Sequence, residues 1–198
     1  MTYLQADPNT WYKISILAQP PVVQWTNISL TTPNEADGGA NSTSTYLSPN
    51  TNNTDHFSWQ LYPVATPPNG TYLLRPKTAI GGFMHAWSPV PNVTACIARD
   101  WDCSIGIDLV PTVGFDAVWT FTTVLDGTNS FYITNAANGS TYHLDLWPNG
   151  SWLRMTNNIS GAPDTHLTQQ YQVIPIGAID NSTWQSVREE DNELVTQY

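Results

Sequence analysis

Asp145 lies two residues before Trp147 and seven before Trp152, in Leu144-Asp145-Leu146-Trp147 and, after Pro148-Asn149-Gly150, Ser151-Trp152. A carboxylate accepts hydrogen bonds from two neighbouring hydroxyls, and an indole covers an apolar C–H face. Together they suit a polyhydroxylated ring. Sixty residues earlier His85 and Trp87 repeat the arrangement, with an imidazole in place of the carboxylate. Gln24-Trp25 is the weaker counterpart near the start of the chain. Proton-transfer chemistry could draw on His56, His85, His143, His166 and the pair Asp100/Asp102. None falls in Ser-His-Asp or His-Glu-x-x-His order, so no catalytic residue and no cofactor is expected. His143 alternates with Asp145 and is expected on the same, exposed strand face.

Nine asparagines head Asn-x-Ser/Thr acceptor sequences: Asn27, Asn41, Asn52, Asn69, Asn92, Asn138, Asn149, Asn158 and Asn181. Chance placement at this composition gives about three. The excess predicts a secreted N-glycosylated chain whose signal peptide is absent from this numbering. The only two cysteines, Cys96 and Cys103, are spaced for a disulfide that closes one local loop. No His or Cys adjoins them, which argues against zinc and any other metal centre. The same loop carries Arg99. A closed loop loses less entropy on binding, so protease inhibition is a further function to weigh.

The chain has 198 residues, six of them Lys or Arg, and a formal net charge of −10. That leaves no cationic footprint for nucleic acid or an anionic membrane surface. No run reaches the ~18 apolar residues of a spanning helix, so this segment is not expected to insert in a membrane. Nine Trp, nine Tyr, fifteen Pro and twelve Gly favour short strands closed by frequent turns.

A repeat organises those strands. Tyr12, Tyr72 and Tyr132 recur at intervals of 60, as do Trp59 with Trp119 and Trp87 with Trp147. Three units, about 9–64, 69–124 and 129–176, each predict four strands, and the chain reads as one all-β domain over 1–176. Val22–Trp25 is expected as the second strand of the first unit and Ser44–Leu47 as its third. A barrel closed on itself, a β-trefoil, removes the exposed edges. Tyr12, Tyr72, Tyr132, Trp59, Trp119 and Tyr171 are its expected core. Residues 177–198 read as an acidic tail or the start of a stalk, and the polar N-terminal segment as free to reach a neighbouring molecule.

Gln169-Gln170-Tyr171-Gln172-Val173 resembles the Q-x-W signature of ricin-B-type lectins, with Tyr for Trp. Ala117-Val118-Trp119 and Phe57-Ser58-Trp59 keep the aromatic residue, and Leu144-Asp145-Leu146 is similar to the family's Leu-Asp-Val. The stretch Tyr132–Asp145 is also similar to the extracellular heads of filamentous-fungal surface proteins. The resemblance implies a β-trefoil and a sugar-binding role for Asp145, with Trp147 or Trp152 stacking and His85 with Trp87 as a second position. The expected partners are glycans or cell-surface carbohydrate. A structural, self-associating surface glycoprotein is the competing expectation.

Overall fold

The computed structural model describes residues 2–17, 28–31, 46–49, 55–64, 69–77, 83–86, 105–108, 114–146, 153–156, 167–180 and 182. Among these the chain forms twelve strands: β1 Thr10–Ile16, β2 Ile28–Thr31, β3 Tyr46–Pro49, β4 Trp59–Pro63, β5 Thr71–Pro76, β6 Phe83–Ala86, β7 Ile105–Asp108, β8 Val118–Thr123, β9 Phe131–Asn135, β10 His143–Leu146, β11 Leu153–Thr156 and β12 Tyr171–Ala178. Six of them close a ring of antiparallel pairs: β1 with β4, β4 with β5, β5 with β8, β8 with β9, β9 with β12, and β12 back to β1. The other six form three hairpins, β2–β3, β6–β7 and β10–β11. A barrel of six strands with three hairpins is the β-trefoil arrangement.

Alternation along each barrel strand builds the core. Tyr12, Ile14 and Ile16 of β1 point inward with Trp59 and Leu61 of β4, Tyr72 and Leu74 of β5, and Trp119 and Phe121 of β8. Phe131 and Ile133 of β9, Tyr171 of β12, Met84 and Ala86 of β6, Leu144 of β10, Leu153 of β11 and Ala6 belong to the same cluster. A second cluster of Leu73, Phe83 and Ala117 lies on the other face of β5, so that strand is buried on both sides. A 3-10 turn ends two residues before each inward aromatic residue: Asp55–Phe57 before Trp59, Phe115–Ala117 before Trp119, and Leu167–Gln169 before Tyr171.

The register corrects one landmark. Tyr12 pairs with Trp59 and Tyr72 with Trp119, but it is Phe131 that pairs with Tyr171. Phe131 is in the core, whereas Tyr132 is half-buried on the outer side. The third unit is one residue out of step with the 60-residue spacing. In a strand a slip of one residue exchanges the two faces.

In the first unit the structure places the second strand at Ile28–Thr31, paired with Tyr46–Pro49. Val22–Trp25 lies outside the described residues. The last strand runs past the expected boundary at 176. Gly177 and Ala178 still pair with Trp11 and Thr10, and Ile179 N donates to Asn9 O at 2.8 Å.

The N-terminal segment 2–9 is docked on the barrel. Tyr3 bridges to Thr122, Leu4 N donates to Phe121 O and Thr123 N to Thr2 O. The Tyr72 hydroxyl accepts from Ala6 N at 2.9 Å and donates to Leu4 O at 2.7 Å. The Tyr12 hydroxyl accepts from Asp7 N at 2.8 Å, and Gln60 Nε2 donates to Pro8 O. Ala6 is buried in the barrel core. Leu4 and Ala6 alternate with polar neighbours, so this strap lays a short apolar edge on the barrel end and satisfies its buried backbone through two core tyrosines.

Candidate functional site

The third hairpin carries the residues singled out for chemistry. Leu144 turns into the barrel core, so alternation puts His143 and Asp145 together on the opposite face of β10. Across the hairpin Asp145 pairs in register with Arg154, and His143 with Thr156. On its other side His143 pairs with Thr134 of β9, and the Tyr132 ring meets its imidazole edge-on at 5.2 Å.

The shared face is covered, which corrects the expectation that it is open. His143 is 7% exposed and Asp145 is 3% exposed. Thr134 and Thr156, their strand neighbours, are buried as well. Burial pushes the His143 imidazole down to about 4, against an opposing hydrogen bond with the Thr141 backbone. The neutral ring is therefore the form the fold holds near neutral pH. Burial also pushes the Tyr171 hydroxyl up, and the charge of Asp145 adds to the shift. Asp145 thus lies close enough to the buried end of Tyr171 to act on it electrostatically.

Other expected site residues fall differently. His85 is on β6, paired with Gly106, at the place equivalent to Asp145. Its side chain, and Trp87, Trp147, Trp152, Cys96, Arg99 and Cys103, lie outside the described residues. Of the acceptor asparagines, Asn69 is exposed at the turn into β5, with its Oδ1 accepting from Thr71 N at 3.2 Å. Asn138 is half-buried in the β9–β10 turn, before Gly139 at φ 82°. Asn27, Asn41, Asn52, Asn92, Asn149, Asn158 and Asn181 lie outside the described residues.

Two features were not anticipated. One is the ion pair of Lys77 with Asp55 at 2.6 Å, which pins a 3-10 turn beside β5, with the same ammonium 5.8 Å from the Trp11 ring centroid. The other is the cluster of buried polar residues around the start of β12, where Gln169, Gln170 and Tyr171 lie beneath the third hairpin. The Gln-Gln-Tyr run was the available signal, and its aromatic residue was read as core alone.

No protein-family model matches this chain, and no curated protein does. Solved structures do. A GlcNAcα1-4Gal-releasing endo-β-galactosidase from Clostridium perfringens matches with a TM-score of 0.55 at 19% identity, over 84% of this chain and 32% of that protein. The BEL β-trefoil matches with a TM-score of 0.54 at 11% identity, over 84% of this chain and 93% of that one. A Polyporus squamosus lectin, solved with Neu5Acα2-6Galβ1-4GlcNAc, matches with a TM-score of 0.55 at 16% identity, over 83% of this chain and 48% of that one. The chain spans about a third of the length of the galactosidase and about half that of the lectin. At these identities the likeness establishes the β-trefoil fold.

Proposed function

We propose that this chain is a non-catalytic carbohydrate-binding β-trefoil of the ricin-B-like type, secreted and N-glycosylated. The observation that carries the reading is Asp145 on the third hairpin. Leu144-Asp145-Leu146 resembles the Leu-Asp-Val of ricin-B-type lectins, and it lies in a fold shared with a lectin solved in complex with a sialylated saccharide. In this reading the carboxylate of Asp145, 3% exposed, is reached only when a ligand displaces what covers it, and Trp147 or Trp152 supplies the stacking face. His85 and Trp87 form a second, weaker position on the β6–β7 hairpin. The excess of acceptor sequences supports secretion, and Asn69 is an exposed acceptor in an ordered turn.

A glycan array with the wild-type chain and the Asp145→Ala, Trp147→Ala and Trp152→Ala variants tests the binding. The expected result is retention of one glycan class by the wild type and its loss in Asp145→Ala and in one Trp variant. No retention by the wild type counts against carbohydrate binding. A mass decrease on enzymatic deglycosylation of native material tests secretion, and an unchanged mass reverses it.

The outer half of β12 favours a second reading, a self-associating surface glycoprotein of the kind found as fungal cell-surface heads. Ile174 is 38% exposed and Ile176 is 45% exposed, in an uncharged run on a strand whose pairing with β9 ends at Tyr171. Among the described residues the edge of β12 toward β9 is unpaired beyond Tyr171, and an uncharged strand edge of this kind suits strand-to-strand association. Sedimentation of native material tests this second reading: oligomers support assembly, and a strict monomer counts against it. Protease inhibition would rest on the Cys96–Cys103 loop with Arg99, and Arg99→Ala tests it against a trypsin-like enzyme.

A further inference from the structure

In the second unit the Trp119 indole donates Nε1–H to Met84 O at 2.7 Å, deep in the core. This bond ties the barrel strand β8 to the hairpin strand β6. The third unit has the same two positions, occupied by different residues. Tyr171 takes the place of Trp119, since it pairs with Phe131 as Trp119 pairs with Tyr72. Leu144 takes the place of Met84, as the second residue of a four-residue hairpin strand, fully buried in the same core cluster.

Tyr171 is 0% exposed, and its hydroxyl has no hydrogen-bond partner among the described residues. It does not reach the Leu144 carbonyl as the indole reaches Met84. The adjacent Gln170 is also fully buried. Its Oε1 accepts from Ser130 Oγ at 3.2 Å, while its Nε2 has no partner among the described residues. An enclosed hydroxyl left unbonded is a net cost that a phenylalanine would avoid. A tryptophan is larger than a tyrosine by roughly the volume one water takes in the liquid, about 30 Å3. A buried water also needs two to four polar partners. Tyr171 Oη supplies a donor, Leu144 O is the acceptor equivalent to Met84 O, and the Asp145 carboxylate acts on the same hydroxyl.

We propose that the base of the third hairpin is a closed site for one ordered water, which bridges Tyr171 Oη to Leu144 O in place of the indole N–H of the second unit. The water links β12 to β10 and supports the strand that bears Asp145. This inference stands on the internal symmetry of the barrel and does not require that the chain bind sugar.

A crystal structure of the wild type at high resolution is the direct test. A single water within hydrogen-bond distance of both Tyr171 Oη and Leu144 O is expected, and a dry site, or a hydroxyl bonded directly to protein, overturns the proposal. Two variants add an independent readout by denaturant unfolding. Tyr171→Phe lowers the folding equilibrium constant roughly tenfold by removing one anchor of the water. Tyr171→Trp expels the water, restores the direct bond and is at least as stable as the wild type. A Tyr171→Phe protein as stable as the wild type overturns the proposal, as does a Tyr171→Trp protein less stable than Tyr171→Phe.

Discussion

Gly70 and Gly127 provide a matched pair for testing how firmly the N-terminal strap is held. Both have φ +83°, the left-handed region in which a β-carbon is unfavourable. A β-carbon on Gly127 would meet nothing within 4 Å, whereas one on Gly70 would meet Tyr3 Cβ at 2.5 Å. Gly127→Ala therefore isolates the backbone cost, about 1 kcal/mol. Gly70→Ala adds displacement of the strap. Moving Tyr3 strains the neighbouring bonds of the Tyr72 hydroxyl to Leu4 O and Ala6 N, worth about 1 kcal/mol each. The expected loss for Gly70→Ala is thus about 3 kcal/mol. At this chain length each kcal/mol moves Tm by about 2–4 °C. Gly70→Ala should melt about 6–12 °C below the wild type and Gly127→Ala about 2–4 °C below it. A double-mutant cycle of Gly70→Ala with Tyr3→Gly should give a coupling of about 2 kcal/mol, because the clash vanishes when the Tyr3 β-carbon is removed. Equal losses for the two alanines, or a coupling near zero, would refute a strap seated on Gly70.

Three further outcomes follow from the contacts and charges described above. Tyr72→Phe should cost about 2 kcal/mol in chemical unfolding and Tyr12→Phe about half as much, since Tyr72 serves two strap groups and Tyr12 one. Amide exchange at Ala6 should accelerate in Tyr72→Phe and stay slow in Tyr12→Phe. Trp119→Phe should cost about 2–4 kcal/mol, because it removes core volume and leaves Met84 O without its donor. For His143, held at about 4 against an ordinary 6.5, the fold prefers the neutral ring. Its contribution is complete above about pH 6.5 and is lost as pH falls towards 4, by at most about 3 kcal/mol. The stability difference between wild type and His143→Gln, measured by urea unfolding at pH 7 and pH 4.5, should shift in favour of the variant at the lower pH. An unchanged difference would mean that the imidazole charges without cost.

Much of the barrel was legible because inward aromatic residues are large, few and spaced by the closure of the ring. Trp59 and Trp119 were placed correctly from their interval, and Tyr171 as the aromatic residue of the closing strand. Tyr132 was misplaced for a physical reason. Identity at a 60-residue interval cannot sense a one-residue change in a preceding turn, and alternation turns such a change into the wrong face. Asp145 was recognised as a residue able to bind hydroxyls, yet its burial depends on what the fold lays over β10, and no local pattern encodes that. The strap was read as free because it is mostly polar. Its hold on the barrel comes from tyrosine hydroxyls 5 to 68 residues away, which sequence spacing does not reveal.

The departure from threefold symmetry at Phe131 has its own logic. Equivalent positions in the other units are Tyr12 and Tyr72, and both hydroxyls are used by the strap. The strap is a single segment and leans to one side of the barrel axis, along β8 and the turn into β5. A third hydroxyl would find none of the backbone groups that the first two hold, and a buried hydroxyl without a partner is a net cost. Phenylalanine keeps the ring and omits the oxygen. Phe131→Tyr should therefore destabilise the chain by about 1–3 kcal/mol in denaturant unfolding, although it restores the repeat in sequence. A neutral or stabilising Phe131→Tyr would mean that the barrel end is open to water on that side and that the strap does not determine which units carry tyrosine.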